Sequence, residues 1–199
     1  DVLSCFAGLR PLVSAGKGKR TAALSRDHTI HISRSGLITI TGGKWTTYRK
    51  MGEDVINEAI DIGGLEERPC VTAQLKLHAW RESDNDHIID FQSVYGSDLD
   101  HIEALIERDP TLATPIHPDL PYRRAEFVWA ARAEMARTLD DALARRTRSL
   151  LLNARAAIEA APSVAALMAE ELGFDEAWQR EELERFTQLA EGYLCTIYS

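Results

Sequence analysis

Cysteine is scarce in this 199-residue chain. Cys5, Cys70 and Cys195 are odd in number and far apart in sequence, with no Cys-x-x-Cys pair and no Cys/His ligand spacing. A disulfide framework and a structural zinc site are both excluded on that pattern, no metal is expected, and a reducing compartment is the simpler reading. No apolar run approaches the ~20 residues that span a bilayer, and no signal peptide is visible. Neither phosphate-binding glycine pattern, GxxxxGK[ST] or GxGxxG, is present. Acidic residues are missing from one end: residues 1–50 hold 9 Lys and Arg but only 2 Asp. The remainder holds 14 Lys and Arg against 29 Asp and Glu, so the overall charge of −8 averages a front segment of +7 and a rear segment of −15. The acidic rear argues against nucleic acid as a partner. The front has too few acids to neutralise its own cations, which favours an anionic ligand there.

The front reads as strand-rich over residues 1–41. Asp1 to Leu9 carries β-branched, aromatic and small residues, and Pro11 holds Arg10 extended. Gly16 to Arg20 is a basic turn, Thr21 to Ser33 partly alternates, and Ser33-Arg34-Ser35-Gly36 is a second turn. Leu37 to Thr41 is a strand by its β-branched content. Gly42-Gly43 ends it, and from Trp45 a helical stripe runs through Tyr48, Met51, Val55, Ala59 and Ile62 until Gly63-Gly64. Beyond the 66–69 linker the chain is rich in Ala, Leu, Glu and Arg. Helices are expected at roughly 85–95, 98–108, 122–136, 138–146, 148–160, 162–172 and 175–194. Thr138 to Asp141 matches a capping box, and Asp175 can cap the last helix. Pro162 either opens a new helix or kinks a continuous one. The four prolines at 110, 115, 118 and 121 mark a loop.

The strand–Gly-Gly–helix unit is the most informative feature. A helix start carries unsatisfied N–H groups and partial positive charge, and glycines before it admit close approach of a ligand. Lys44 adds a full charge, so the unit suits an anionic or electron-rich group. The competing reading is an ordinary βα turn. Arg10 and Arg26 each sit in an apolar or strand-like context, where an arginine needs an anionic partner. They are anion ligands, or strand-end residues paired locally, for which Asp27 is available. His28 and His31 fall on opposite strand faces, poor for a joint metal site, and read as packing or hydrogen-bonding residues. Arg145-Arg146-Thr147-Arg148 reads as a helix end opposing the dipole or as an anion site. Trp80, Trp129 and Trp178 read as core or interface anchors.

Three strings carry a family resemblance: Phe6 to Leu12 (FAGLRPL), Ala23 to Ile30 (ALSRDHTI) and Leu37 to Lys50 (LITITGGKWTTYRK). Together they resemble FAD-dependent glycerol-3-phosphate dehydrogenase, and the Ala-rich segments at 134–138, 143–148 and 154–162 are also similar. The resemblance implies an α+β chain. Residues 1–65 would be the strand-rich C-terminal part of an FAD and substrate domain, and 66–199 an all-helical C-terminal domain. The chain starts at Asp1, not Met, and is expected to be the C-terminal portion of a longer flavoenzyme. By the same resemblance Arg10, Arg26 and Lys44 bind glycerol 3-phosphate, with Arg10 and Arg26 as the catalytic cations. Gly43, Lys44, Trp45, Thr46 and Thr47 would border the FAD ring. No residue stands out as general base, although His28 is a candidate. A quinone acceptor at a membrane surface and a cytoplasmic, peripheral association with the inner membrane are further implications. Two alternatives stay open: an oxygen-using glycerol-3-phosphate oxidase, or a non-catalytic helical interaction module that would form a homodimer through the Ala/Leu-rich helices at 122–194. Without a dinucleotide fingerprint the isolated chain should not hold FAD tightly. Absorbance of the purified chain checks this, and stoichiometric yellow flavin retained on it would contradict the expectation.

Overall fold

The computed structural model describes residues 2–9, 28–82 and 91–195. Two compact units result: Gly8–Leu77, and Asp1–Ala7 together with His78–Ser199.

In the first unit, β1 (His28–Ile32) and β2 (Ile38–Gly42) form an antiparallel pair, with His28 opposite Gly42 and Ile32 opposite Ile38. The turn closes where Ser33 and Gly36 were read as punctuation. The Gly36 N–H donates to the Ser33 carbonyl at 3.0 Å, and the Leu37 N–H donates to Ser33 Oγ at 3.1 Å. Ile30, Ile38 and Ile40 are half-buried and alternate with exposed threonines, as a one-sided hairpin requires. A short 3-10 turn, Trp45–Thr47, leads into α1 (Tyr48–Gly63). The helix ends at Gly64 in the left-handed conformation, with φ +57°. Its half-buried face holds Met51, Asp54, Val55 and Ala59, whereas Tyr48 and Ile62 of the expected stripe are exposed. Among the described residues of this unit none is fully buried.

The second unit contains the core. Its helices are α2 (Leu99–Arg108), α3 (Arg124–Ala133), a short α4 (Ser149–Leu152), α5 (Ala154–Leu172) and α6 (Glu176–Glu191). Helix α5 packs against α3, α4 and α6. Ala154, Ala156, Ala157, Ala160, Ala161, Val164, Ala165 and Met168 are all buried, the near all-round burial expected of a central helix. Alanine side chains let its neighbours approach closely while losing no rotamer freedom on burial. Helix α5 runs through Pro162, so the reading of two separate helices at 148–160 and 162–172 gives way to one. The proline removes one backbone donor and crowds the preceding turn. Asn153 Oδ1 accepts the Ala156 N–H at 3.1 Å and starts the helix upstream. Asp175 caps α6 through the Trp178 N–H at 2.9 Å. The Thr138–Asp141 box forms reciprocally, each side chain accepting from the other residue's N–H at 3.1 Å.

Three other expectations change. Residues 2–9 join no sheet. They bond instead to the helical unit, where the Cys5 N–H donates to the Tyr193 carbonyl and the Ala154 N–H to the Leu3 carbonyl. Residues 141–146 form a π-helical turn, with Arg145 committed to Asp140 at 2.5 Å and Asp141 at 2.9 Å. The described part of the expected 85–95 helix begins at Phe91, and Ser93–Asp98 is 3-10. The remaining residues of that helix, 85–90, lie outside the described residues. Of the tryptophans, Trp129 and Trp178 pack against the core while Trp80 is half exposed.

One buried acid ties α3 to the preceding segments. Glu126 is 1% exposed. Its carboxylate accepts from Tyr95 Oη at 3.0 Å and from the Arg123 N–H at 3.0 Å. Burial is the largest influence and raises its pKa. A carboxyl raised in the folded state is most stabilising below its unfolded pKa, and that contribution fades as pH rises through the folded value. Glu126→Gln should therefore keep both contacts and flatten stability against pH between mildly acidic and neutral conditions. Glu126→Ala should cost about 1–3 kcal/mol for each polar group left unpaired. Urea melts at several pH values check both.

Candidate functional site

Gly42 and Gly43 both adopt positive φ, +79° and +80°. Lys44 then returns to an extended conformation, and its N–H donates to Thr47 Oγ1 at 3.1 Å. The Thr47 N–H and hydroxyl both donate to the Lys44 carbonyl at 3.0 Å. This reciprocal arrangement works like a capping box and holds the turn at the helix entrance. Trp45 is 88% exposed and its ring lies 5.8 Å from that of Tyr48. Lys44, Trp45, Thr46 and Thr47 are thus all exposed at the start of a helix.

The turn is braced from behind. A Cβ on Gly43 would run into the Met51 sulfur and lie 3.5 Å from His28 Cβ. His28 Nε2–H donates to Asp54 Oδ2 at 2.9 Å, joining the start of β1 to the middle of α1. Lys50 Nζ meets the other Asp54 oxygen at 2.8 Å and is the main cause that lowers the Asp54 pKa. Next to Lys50, Arg49 bonds Glu53 at 2.7 Å and Thr72 at 3.2 Å, and Arg49 holds the Glu53 carboxyl below its usual range. Arg49 and Lys50 are therefore spent on carboxylates of their own helix. Among the described residues no ion pair engages Lys44.

Gly43, Lys44, Trp45, Thr46 and Thr47 are contiguous at the turn, with Gly43 half-buried and the other four exposed. Arg10 and Arg26 lie outside the described residues. His28 is fixed by its bond to Asp54. The hydrogen-bonding role read from the sequence fits that contact, and a lone histidine pattern gave no hint of the partner. The bracing roles of Met51 and Asp54 were also missed. Met51 fell on the apolar stripe, but nothing in a single sequence shows that its sulfur fills the space a Gly43 side chain would need. On the outer side of α1, a groove of about 530 Å³ lies between Arg49, Ile56, Ile60 and the segment Pro69–Thr72. Among the described residues there is no cluster of acids, cysteines and histidines able to hold a metal ion. No described helix is long and apolar enough to cross a membrane.

A hairpin that delivers a lysine to a helix start, in a chain whose other part is an alanine-rich helical bundle, defines a class of protein: a strand–turn–helix element with a helical domain. Residues 36–179 match the family described as the C-terminal domain of alpha-glycerophosphate oxidase. The chain belongs to that family. It is 39% identical over 207 residues to the probable mitochondrial glycerol-3-phosphate dehydrogenase of Caenorhabditis elegans, covering 93% of this chain and 28% of that protein. It is 37% identical over 202 residues to the mitochondrial glycerol-3-phosphate dehydrogenase of Homo sapiens, covering 92% of this chain and 28% of the relative. The mitochondrial glycerol-3-phosphate dehydrogenase SDP6 of Arabidopsis thaliana is 32% identical over 97% of this chain and 35% of its own length. The chain thus spans about a third or less of these relatives.

The Gly43 position gives a direct test of the brace. Gly43→Ala should destabilise the protein by about 1–2 kcal/mol from the left-handed backbone alone, and further through the clash with Met51. Adding Met51→Ala should recover only the steric share. Denaturant melts of the single and double variants separate the two contributions.

Proposed function

We propose that this chain supplies the substrate-side turn and the helical C-terminal domain of an FAD-dependent glycerol-3-phosphate dehydrogenase. The reaction is oxidation of sn-glycerol 3-phosphate at C2 to dihydroxyacetone phosphate, with electrons passed on to a quinone. The observation that carries this reading is Lys44, exposed at a helix start and free of carboxylate partners among the described residues, while Arg49 and Lys50 beside it are neutralised.

The residues present suit FAD. The left-handed Gly42-Gly43 pair leaves no side chain on the face before the helix start, and the first helical N–H groups carry partial positive charge. Gly43, Lys44, Trp45, Thr46 and Thr47 would hold the edge of the ring. The chemistry that a bound FAD would supply there is acceptance of a hydride from substrate C2. This chain's own residues bind and orient. Lys44 donates a charge-assisted hydrogen bond to the phosphate, and Arg10 and Arg26 donate through planar guanidinium forks. The helix start favours negative charge accumulating beside it. His28, bonded to Asp54, positions the first strand relative to α1 and is not assigned the base.

The division proposed is residues 1–65 for the FAD and substrate portion and 66–199 for the helical domain. The exposed apolar residues of the front portion, among them Leu37, Ile56 and Leu65, fit a surface covered by the rest of a longer protein. Peripheral association with an inner membrane is the matching location. Mitochondrial placement is what the names of the relatives say of those proteins. An oxygen-using oxidase is the second reading, favoured by the description of the matched family. Turnover of the intact protein with quinone and with oxygen as acceptors separates the two.

Lys44→Ala and Arg26→Ala in the intact protein should each lower kcat/KM for glycerol 3-phosphate at least ~10-fold, matching about 1.5–3 kcal/mol for a hydrogen bond to a charged group. Steady-state kinetics with normal folding verified by circular dichroism checks this. Near-intact turnover in both variants would favour a non-catalytic helical module, with any homodimer formed through 122–194.

A further inference from the structure

The N-terminal segment is fastened to the helical unit on both sides of Cys5. The Ala154 N–H donates to the Leu3 carbonyl at 3.2 Å and to Ser4 Oγ at 2.7 Å. Ser4 Oγ in turn donates to the Leu150 carbonyl at 2.7 Å. The Cys5 N–H donates to the Tyr193 carbonyl at 2.9 Å, and the Phe6 ring stacks on Tyr193 with centroids 6.2 Å apart. These contacts set Cys5 beside the residues that follow α6. Cys195 stands two positions beyond Tyr193, and its thiol interacts with that of Cys5. The Cys5 thiol first, and burial second, push the Cys195 thiol up. Both are free, Cys5 exposed and Cys195 half-buried. The third cysteine, Cys70, belongs to the other unit and bonds Thr72 Oγ1 at 3.0 Å.

We propose that Cys5 and Cys195 form a reversible disulfide when the protein meets a two-electron oxidant of the hydroperoxide class, stapling the N-terminal segment to the end of the helical unit. Cys5, the more exposed thiol, reacts first. Its thiolate attacks a peroxide oxygen, an S–O bond forms, the O–O bond breaks, and the departing hydroxide is protonated to water. The Cys195 thiolate then attacks the Cys5 sulfur. The S–S bond forms, the S–O bond breaks, and a second hydroxide leaves and is protonated. Two thiols lose two electrons and two protons in all, and one hydrogen peroxide becomes two waters. A dithiol reductant reverses the bond. The bonds at Leu3, Ser4 and Cys5 hold the N-terminal segment beside the end of the helical unit beforehand. The link would join positions far apart in sequence, which most restricts the unfolded chain.

The test is a non-reducing peptide map of the intact protein after treatment with hydrogen peroxide and alkylation of remaining thiols. The expected result is a Cys5–Cys195 linked peptide within one chain, lost on dithiothreitol treatment, with Cys70 still alkylated. Peroxide should also raise the thermal midpoint of the wild type and leave those of Cys5→Ser and Cys195→Ser unmoved. Separate alkylation of Cys5 and Cys195 after oxidation overturns the proposal, as does linkage to Cys70 or between chains. The wild-type map decides the matter even if a serine variant folds poorly.

Discussion

The left-handed backbone of Gly42 and Gly43 is the constraint on which the front unit depends. With both residues at φ near +80°, the chain leaves the hairpin and enters a helix within a few residues. Met51 and His28 crowd the inner side of that turn. The outer side is left bare, and Lys44 is carried onto it. A side chain at Gly43 would face both a conformational and a steric penalty, so the open face and the brace are two sides of one arrangement.

Charge is distributed to match. On α1, Arg49 and Lys50 each sit opposite a carboxylate one turn along, and Asp54 also receives His28. These pairs fasten the helix to itself and to β1. They leave the cation at the helix entrance as the one with a free hand among the described residues of this stretch. In the helical unit several acids bond the protein's own donors. Glu126 and Glu182 accept backbone N–H groups, and Arg132 grips Glu171 with two bonds of 2.6 and 2.7 Å.

Local signals were legible in the sequence where the physics is local. The β-branched run at 37–41, the Gly-Gly breaks, the Thr138–Asp141 box and the Asp175 cap all depend on neighbours a few residues away, and all formed. Features set by distant partners were not legible. The apolar, β-branched character of residues 2–9 suits an extended segment, but whether it pairs in a sheet depends on Ala154 and Tyr193, some 150 and 190 positions on. The bonds from His28 to Asp54 and from Tyr95 to Glu126 likewise cross between elements. Pro162 marks a helix start in most settings, yet α5 runs through it because burial on nearly every side outweighs one missing backbone bond. The stretch 43–47 was legible as a turn and helix start because its signals are contiguous. Its brace was not, since Met51 differs from a packing residue only in what it touches.

The central claim is that the anion meets Lys44 at the helix entrance. A crystal structure of the intact protein with glycerol 3-phosphate bound tests it most directly. The account predicts a phosphate oxygen at hydrogen-bond distance from Lys44 Nζ, about 2.7–3.0 Å. A phosphate seated elsewhere, with the Lys44 ammonium left in solvent, would contradict it.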